Sequence, residues 1–465
     1  MSQSTDTAST VLAENPAGRE VFGEPLRRLL AVSFAFLLIS VAVVGMAAHR
    51  APQLSVLDEA THADYAYEIW QGHVPAKGST IAPEILKQWS CHGTFNGSPV
   101  PPCENGGGAA ASYPGNGENY NFSHPPLYYA ITGVIAGLAD AALPGNSHFI
   151  TLARMVGSLW LFAGMLVFYL AVRRFGASWQ LSAGGAILLL LTPQAIGAST
   201  AVSNDAPAAV SGALAVLMLA RILGQRKYGW IIPALVTGFA ASTKILNALP
   251  MLSLAGVLVV VTIVAWRDER REEARKLALI VIAVLAATVA VWGGWMLFQS
   301  GRGLPGWKSP IAGFSDRPVA GTPVGEIFGE LFTGLQLFNG YYLPPQLKST
   351  WFGLWIRVLA FLGAAAPVIL IAVTKKRDVE RWLAGTALIG MISYPILVEL
   401  QVYSTSGRAS YFPYVTPRYG MSMIPVLLAC LVMIAHRRQL NRSMLAGVVT
   451  GAAVSLAAVS GLLNT

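Results

Sequence analysis

Two carboxylates stand side by side at Asp58-Glu59, within Leu57-Asp58-Glu59-Ala60-Thr61-His62-Ala63-Asp64. If this segment is helical, Asp58, Glu59 and His62 share a face through i, i+3 and i+4 spacing. A carboxylate against a low-dielectric wall holds its proton more tightly than one in water, which suits a general base. The structural alternative is a set of acids that solvates an interfacial helix. Further on, His124 precedes a double proline in Phe122-Ser123-His124-Pro125-Pro126-Leu127-Tyr128-Tyr129. The prolines restrict the backbone there, and the imidazole suits a hydrogen bond to phosphate or a metal. A plain helix-start histidine is the alternative.

Three later places add to this set. Asn204-Asp205 lies in Ala201-Val202-Ser203-Asn204-Asp205-Ala206-Pro207, where turn and helix N-cap chemistry competes with a binding role. Lys244 lies in Ser242-Thr243-Lys244-Ile245-Leu246-Asn247, inside an apolar stretch. A lysine at membrane depth must be paired or snorkel, and a lipid-linked phosphate is a fitting partner. Arg418-Tyr419 opens another apolar run and reads as an anion site or as an interfacial anchor.

The elements that carry these residues are membrane helices. Of 465 residues 54% are hydrophobic and only 12% charged, against about 25% charged in soluble domains. The net charge of +9 does not point to nucleic acid, because the Lys and Arg residues cluster between apolar runs, the positive-inside pattern. Spans are predicted near 29–48, 150–172, 180–200, 206–222, 230–248, 249–266, 277–297, 351–374, 381–400, 419–435 and 443–463, eleven in all at roughly 17–25 residues each. With the N-terminus inside, every basic cluster falls on the cytoplasmic side: Arg27-Arg28, Arg173-Arg174, Arg221 to Lys227, Arg267 to Lys276, Lys375 to Arg377 and Arg437-Arg438. The apolar stretch 125–143 would break this parity as a span, so it is expected as a juxtamembrane or re-entrant helix on the outer face. A different division of 230–266, with 125–143 spanning, is the alternative.

This leaves long outer loops at 49–149 and 298–350 and a shorter one at 401–418, the usual sign of functional loops. The outer cations Arg302, Lys308, Arg317, Lys348, Arg408 and Arg418 run against the positive-inside bias. Cys91 and Cys103 flank a Gly/Pro-rich stretch of the first outer loop and are expected to pair there; Cys430, the third cysteine, reads as packed. Inner loops are short and carry no P-loop and no strand-linked GxGxxG, so nucleotide chemistry inside is not expected. Residues 1–24 read as disordered, with no cleavable signal before the first apolar run.

Asp58-Glu59 after the first span resembles the modified acidic motif of the GT-C glycosyltransferase superfamily, which includes protein O-mannosyltransferases and the aminoarabinose transferases of lipid A. His124-Pro125-Pro126-Leu127-Tyr128-Tyr129 is similar to the Pro-Pro-Leu element of those families, and the two large outer loops match their layout. Ser203-Asn204-Asp205-Ala206, Thr243-Lys244 and Pro417-Arg418-Tyr419 resemble elements of related membrane proteins. The resemblance implies an inverting transfer from a polyprenyl-phosphate sugar to a glycan, lipid or protein acceptor, on the extracytoplasmic face of a bacterial plasma membrane.

Within it Asp58 is the expected base, and Glu59 binds the acceptor or orients the donor sugar. Lys244 and Arg418 hold the donor phosphate. His62, Asn204, Asp205 and Tyr419 complete the substrate-binding set. His124 stands where aminoarabinose transferases have a phosphate-binding lysine. Some relatives hold a divalent metal in this cavity. Asp58, His62, Asp64 and His124 are the residues that would ligate one here, although the reading requires no cofactor. Residues 1–27 then form a cytoplasmic N-terminus, 28–300 the catalytic transmembrane module with its outer loop, and 301–465 the second outer loop with the C-terminal helices. A flippase for lipid-linked saccharides, or a glycan ligase, would use similar outer-face groups.

Overall fold

The structure, a computed structural model, describes residues 20–21, 24–55, 58–95, 99–143, 148–310, 317–321, 324–330, 333, 335, 337–338, 350–375, 378–405, 410–412, 415–440, 446–453 and 457. Lys348, Arg408 and most of the expected span 443–463 lie outside the described residues, as do nearly all of residues 1–24.

The apolar runs become helices because a chain in lipid must satisfy its own backbone polar groups. Among the described residues seven helices are long and apolar enough to cross a membrane: Leu26–Arg50 (α1), Phe149–Arg173 (α5), Ile245–Arg267, Arg271–Ser300 (α11), Gly353–Val373, Val379–Tyr403 and Pro417–Arg437. The last three lie within, or lead into, α13 (Thr350–Val373), α14 (Val379–Thr405) and α15 (Ile424–Arg437). A bent pair, Trp179–Leu190 and Pro193–Thr200, adds an eighth if it counts as one span, with 65° between its halves.

The described residues therefore carry seven or eight long spans where the sequence suggested eleven; the span expected at 443–463 lies mostly outside the described residues, and the rest of the difference has a local cause. Three predicted spans are interrupted or short. Pro193 starts α7 (Pro193–Thr200) after α6 (Trp179–Ile187) and a 3₁₀ turn. α8 (Ala208–Leu219) ends in a π-turn over Ala220–Gly224. α9 (Ile231–Thr243) has 13 residues, about 20 Å at 1.5 Å per residue. The break after α9 falls at Lys244, whose backbone is extended (φ −166°, ψ 134°); the sequence reading put that boundary at 248/249. A 3₁₀ turn, Ile245–Ala248, then leads into α10 (Leu249–Arg267). Irregular backbone at membrane depth is tolerated only where protein or a cavity surrounds it, and residues 202–207 of the link and Lys244 are buried.

Two large hydrophobic cores stand out among the described residues, beside a small cluster of Ala240, Ala241 and Ala248. The larger one joins the spans through residues such as Met165, Phe168, Leu219, Leu254 and Met433. The smaller one lies in the cap built by α2 (Glu59–Trp70), α3 (Pro83–His92) and α4 (Leu127–Ala142) on the start of α5, and includes Leu54, Tyr65, Ile85, Tyr129 and Phe149. α4 has 16 residues, short of the roughly 20 a span needs, and it covers the 125–143 stretch. Gly133 lets α4 touch the backbone of α2: a Cβ there would lie 2.1 Å from the Ala66 carbonyl oxygen. Gly157 does the same between α5 and α7, where a Cβ would meet the Ser199 carbonyl at 1.9 Å. The site sits between the two cores.

Candidate functional site

The chain turns into α2 at Asp58, which adopts a left-handed backbone (φ 63°, ψ 16°). Such a conformation costs energy for a residue with a Cβ, least for Asp and Asn, and clusters at working sites. It aims the Asp58 and Glu59 side chains at different surroundings. Asp58 Oδ1 accepts a 2.8 Å hydrogen bond from the Tyr120 hydroxyl, and Oδ2 lies 3.4 Å from Arg418 Nη2. Both Asp58 and Arg418 keep some solvent exposure.

Glu59 is buried and saturated. Its Oε1 accepts from Arg154 Nε at 2.6 Å and from the Val202 N–H at 2.9 Å. Its Oε2 accepts from Arg154 Nη2 at 2.9 Å and from the Ser55 N–H at 2.6 Å. Arg154 completes the clamp by donating to the carbonyls of Ala51, Pro52 and Gln53. One ion pair thus ties the end of α1, the start of α2, α5 and the 201–207 link together.

One turn into α2, His62 Nδ1 shares a 2.8 Å hydrogen bond with the Tyr129 hydroxyl, and its ring lies 6.1 Å from that of His124. Tyr129 stacks on Tyr65 at 3.8 Å, and the Tyr65 hydroxyl donates to the His124 carbonyl at 3.0 Å. The far end of α11 fixes the same segment, with Trp295 Nε1 donating to the Ser123 carbonyl and Gln299 Nε2 to that of Phe122. Burial first, then the Lys244 charge, pushes the His62 imidazole down to about 3. The same two causes, joined by His62, hold His124 well below the usual imidazole range. Both rings are neutral at physiological pH.

The helix breaks supply the next pair. Lys244 Nζ meets Asp205 Oδ1 at 2.5 Å, both buried. The Lys244 ammonium also lies 5.2 Å from the centre of the Tyr419 ring, and the Arg418 guanidinium 5.0 Å from it, within cation–π range. Ser203, Asp205, Arg418, Glu59, Arg154 and Gln53 line one cavity. Asn204 is buried beside Asp205, and neither Oδ1 nor Nδ2 of its side chain has a hydrogen-bond partner; the same holds for His124 Nδ1. The structure therefore brings Asp58, His62, His124, Asp205, Lys244, Arg418 and Tyr419 together around one polar centre.

The turn that carries Arg418, Pro417–Met423, is anchored from the second outer loop and from α14. The buried Glu399 accepts the Phe412 N–H at 3.0 Å, and Glu330 accepts the Val415 N–H at 3.4 Å. The Phe412 ring lies parallel to that of Tyr419, and β4 (Ser410–Tyr411) pairs antiparallel with β3 (Arg317–Pro318). In the first loop Cys91 and Cys103 form a disulfide, as expected, and Cys430 is buried.

The four residues considered for a metal do not converge. Asp64 accepts from the Ala82 N–H and from Asn119 Nδ2, each at 2.7 Å, and burial pushes it up to about 7 against those bonds. His62 is taken by Tyr129 and Asp58 by Tyr120. Among the described residues no group of three or more His, Cys, Asp or Glu side chains is arranged to hold a metal ion.

Sequence reasoning missed Arg154, Tyr120 and Glu399. Arg154 had a usable signal, an arginine inside an apolar run at its outer end; Tyr120, in a Gly/Asn-rich stretch, had none.

No family model and no curated protein matches the chain. Among solved structures the chain is similar to ArnT from Cupriavidus metallidurans bound to undecaprenyl phosphate, at 15% identity and a TM-score of 0.44, over 88% of this chain and 60% of that one. It is also similar to apo ArnT from the same organism, at 16% identity and a TM-score of 0.45, over 91% and 62%. The chain spans about three-fifths of the length of the ArnT chains it matches.

Proposed function

We propose that this chain is an inverting membrane glycosyltransferase of GT-C type. It moves a sugar from a polyprenyl phosphate to a hydroxyl of a glycan, lipid or protein acceptor, on the extracytoplasmic face of a bacterial plasma membrane. The observation that carries this reading is the 3.4 Å meeting of Asp58 with Arg418 beside the Asp205–Lys244 pair. A proton acceptor and two cations share one site across helices far apart in sequence.

Asp58, oriented by Tyr120, takes the proton of the attacking hydroxyl. The acceptor oxygen forms a bond to the anomeric carbon as the bond from that carbon to the phosphate oxygen breaks. The electron pair leaves on the polyprenyl phosphate, whose charge Arg418 and Lys244 stabilise. Glu59, with its oxygens taken by four donors, serves by fixing the backbone turn that presents Asp58. Tyr419 aligns both cations through its ring face.

The test is transfer by purified wild type and Asp58→Asn, with a panel of radiolabelled polyprenyl-phosphate sugars and membrane extract as acceptor. Transfer by wild type that is lost in the variant supports the assignment, and equal activity in both removes Asp58 as base. Tight binding of lipid-linked glycan without transfer from any donor would instead mark a carrier.

A further inference from the structure

Every strongly charged side chain of the site already has a partner: Asp58 with Tyr120 and Arg418, Glu59 with Arg154, Asp205 with Lys244. What remains open is neutral. Asn204 is 1% exposed, yet neither atom of its carboxamide has a hydrogen-bond partner, and His124 Nδ1 is likewise buried and unpartnered. Each such atom has given up its hydrogen bond to water without regaining one, and folded proteins keep few of them without a reason. The two residues belong to touching segments, because the Ser203 N–H donates to the Tyr128 hydroxyl at 2.9 Å, four residues after His124. His124 also lies within electrostatic reach of Asp205, Lys244 and Arg418.

We propose that Asn204 and His124 form a subsite that reads neutral sugar hydroxyls, distinct from the cations that meet phosphate. A carboxamide offers a donor and an acceptor, and a neutral imidazole offers one of each. A hydroxyl is the ligand group that matches both, whereas a phosphate would leave the acceptor atoms facing negative charge. The imidazole is held neutral by burial and by the Lys244 charge, so it brings no positive charge to a phosphate. The hydroxyls belong to the transferred sugar or to the acceptor glycan. This inference rests on the glycosyltransferase reading above.

The experiment compares wild type, Asn204→Ala, Asn204→Ser and His124→Ala in two arms. The first measures Kd for bare polyprenyl phosphate and for polyprenyl-phosphate mannose, arabinofuranose, glucose and galactosamine, and takes the gain in affinity due to the sugar. The second measures KM for membrane-extract acceptor at saturating donor. The expected result is that the sugar-dependent gain falls at least about tenfold in Asn204→Ala and His124→Ala, less in Asn204→Ser, while bare polyprenyl phosphate binds as in wild type. A loss confined to the second arm would assign the hydroxyls to the acceptor. An unchanged gain and unchanged acceptor KM in all variants overturns the inference, as does an equal fall in affinity for the bare lipid, which would make the pair part of the phosphate site. If wild type binds none of these lipids, the glycosyltransferase reading itself fails; if wild type binds them and every variant behaves as wild type does, this inference alone fails.

Discussion

Asp58 and Glu59 are neighbours in sequence and alike in chemistry, yet their surroundings are opposite. Glu59 is sealed under a guanidinium and two backbone N–H groups, and no lone pair faces the cavity unpaired. Asp58 keeps solvent access and has one hydroxyl and one distant cation. The first arrangement holds a shape, because a buried pair broken on one side leaves an uncompensated charge. The second leaves a carboxylate able to exchange a proton with something that enters. A related contrast runs through the rest of the site: Asp205 and Lys244 are paired and buried, whereas the neutral side-chain atoms of Asn204 and His124 Nδ1 are buried without a partner.

The largest effects should come from breaking the closed side. Glu59→Ala or Arg154→Ala should each cost about 3–5 kcal/mol by stranding the partner, read as collapse of the melting transition in detergent. The double variant should lose less than the sum of the two. If either single variant melts like wild type, the clamp is not what holds α1, α2 and α5 together.

On the open side the effect should move from stability to rate. Asp58→Asn should melt within a few degrees of wild type yet lose transfer by about 10²–10⁴-fold, the range for a general base. Comparable losses of melting temperature in Asp58→Asn and Glu59→Gln would erase the distinction between the neighbours.

The Asp205–Lys244 pair lies between these extremes, buried, with Asp205 in the cavity wall. Lys244→Met should destabilise by several kcal/mol and raise the Kd for polyprenyl phosphate. Adding Asp205→Asn should restore the melting temperature but not the affinity. Restoration of both would make the pair purely structural. Arg418→Ala should weaken polyprenyl-phosphate binding with little change in melting, since its contact to Asp58 is long and partly exposed.

The smallest effect is in pH. His62, lowered to about 3 in the folded chain, binds its proton less well than when unfolded, so its contribution to stability is lost as pH falls below about 6.5. Asp64, raised to about 7, binds its proton better than when unfolded, so its contribution is lost as pH rises from about 4 toward 7. The two slopes oppose between about pH 4 and 6.5. Asp64→Asn should unmask the His62 slope, so that the melting temperature of the variant rises with pH across that window. A variant as flat as wild type would show that neither group binds its proton differently in the folded and unfolded chain.

Much of the site was visible before the structure, for a physical reason: a charge in an apolar run is conspicuous, because burying it unpaired is so costly. That argument singled out Asp58 and Lys244, while Arg418 stood out by running against the positive-inside bias and Asp205 by its place in Ser203-Asn204-Asp205, where turn chemistry competed. It did not find their partners. Tyr120 lies 62 residues from Asp58, and Arg154 lies 95 residues from Glu59; no periodicity spans such distances. The interrupted helices were also hidden. Hydropathy averages over a window, and a break at Lys244 or at the 201–207 link changes the average little while it turns the backbone toward the cavity.

The sequence by itself determined that this chain is a bundle of membrane helices with polar loops and a small set of charges that need partners. That follows because transfer of side chains into lipid is close to a sum over residues in order. Only the tertiary structure decided which of two adjacent carboxylates is closed off and which stays open, which lysine answers which aspartate, and which neutral atoms are left waiting. Those outcomes depend on distances between residues remote in the chain, and in a low dielectric an ångström of separation outweighs any local preference.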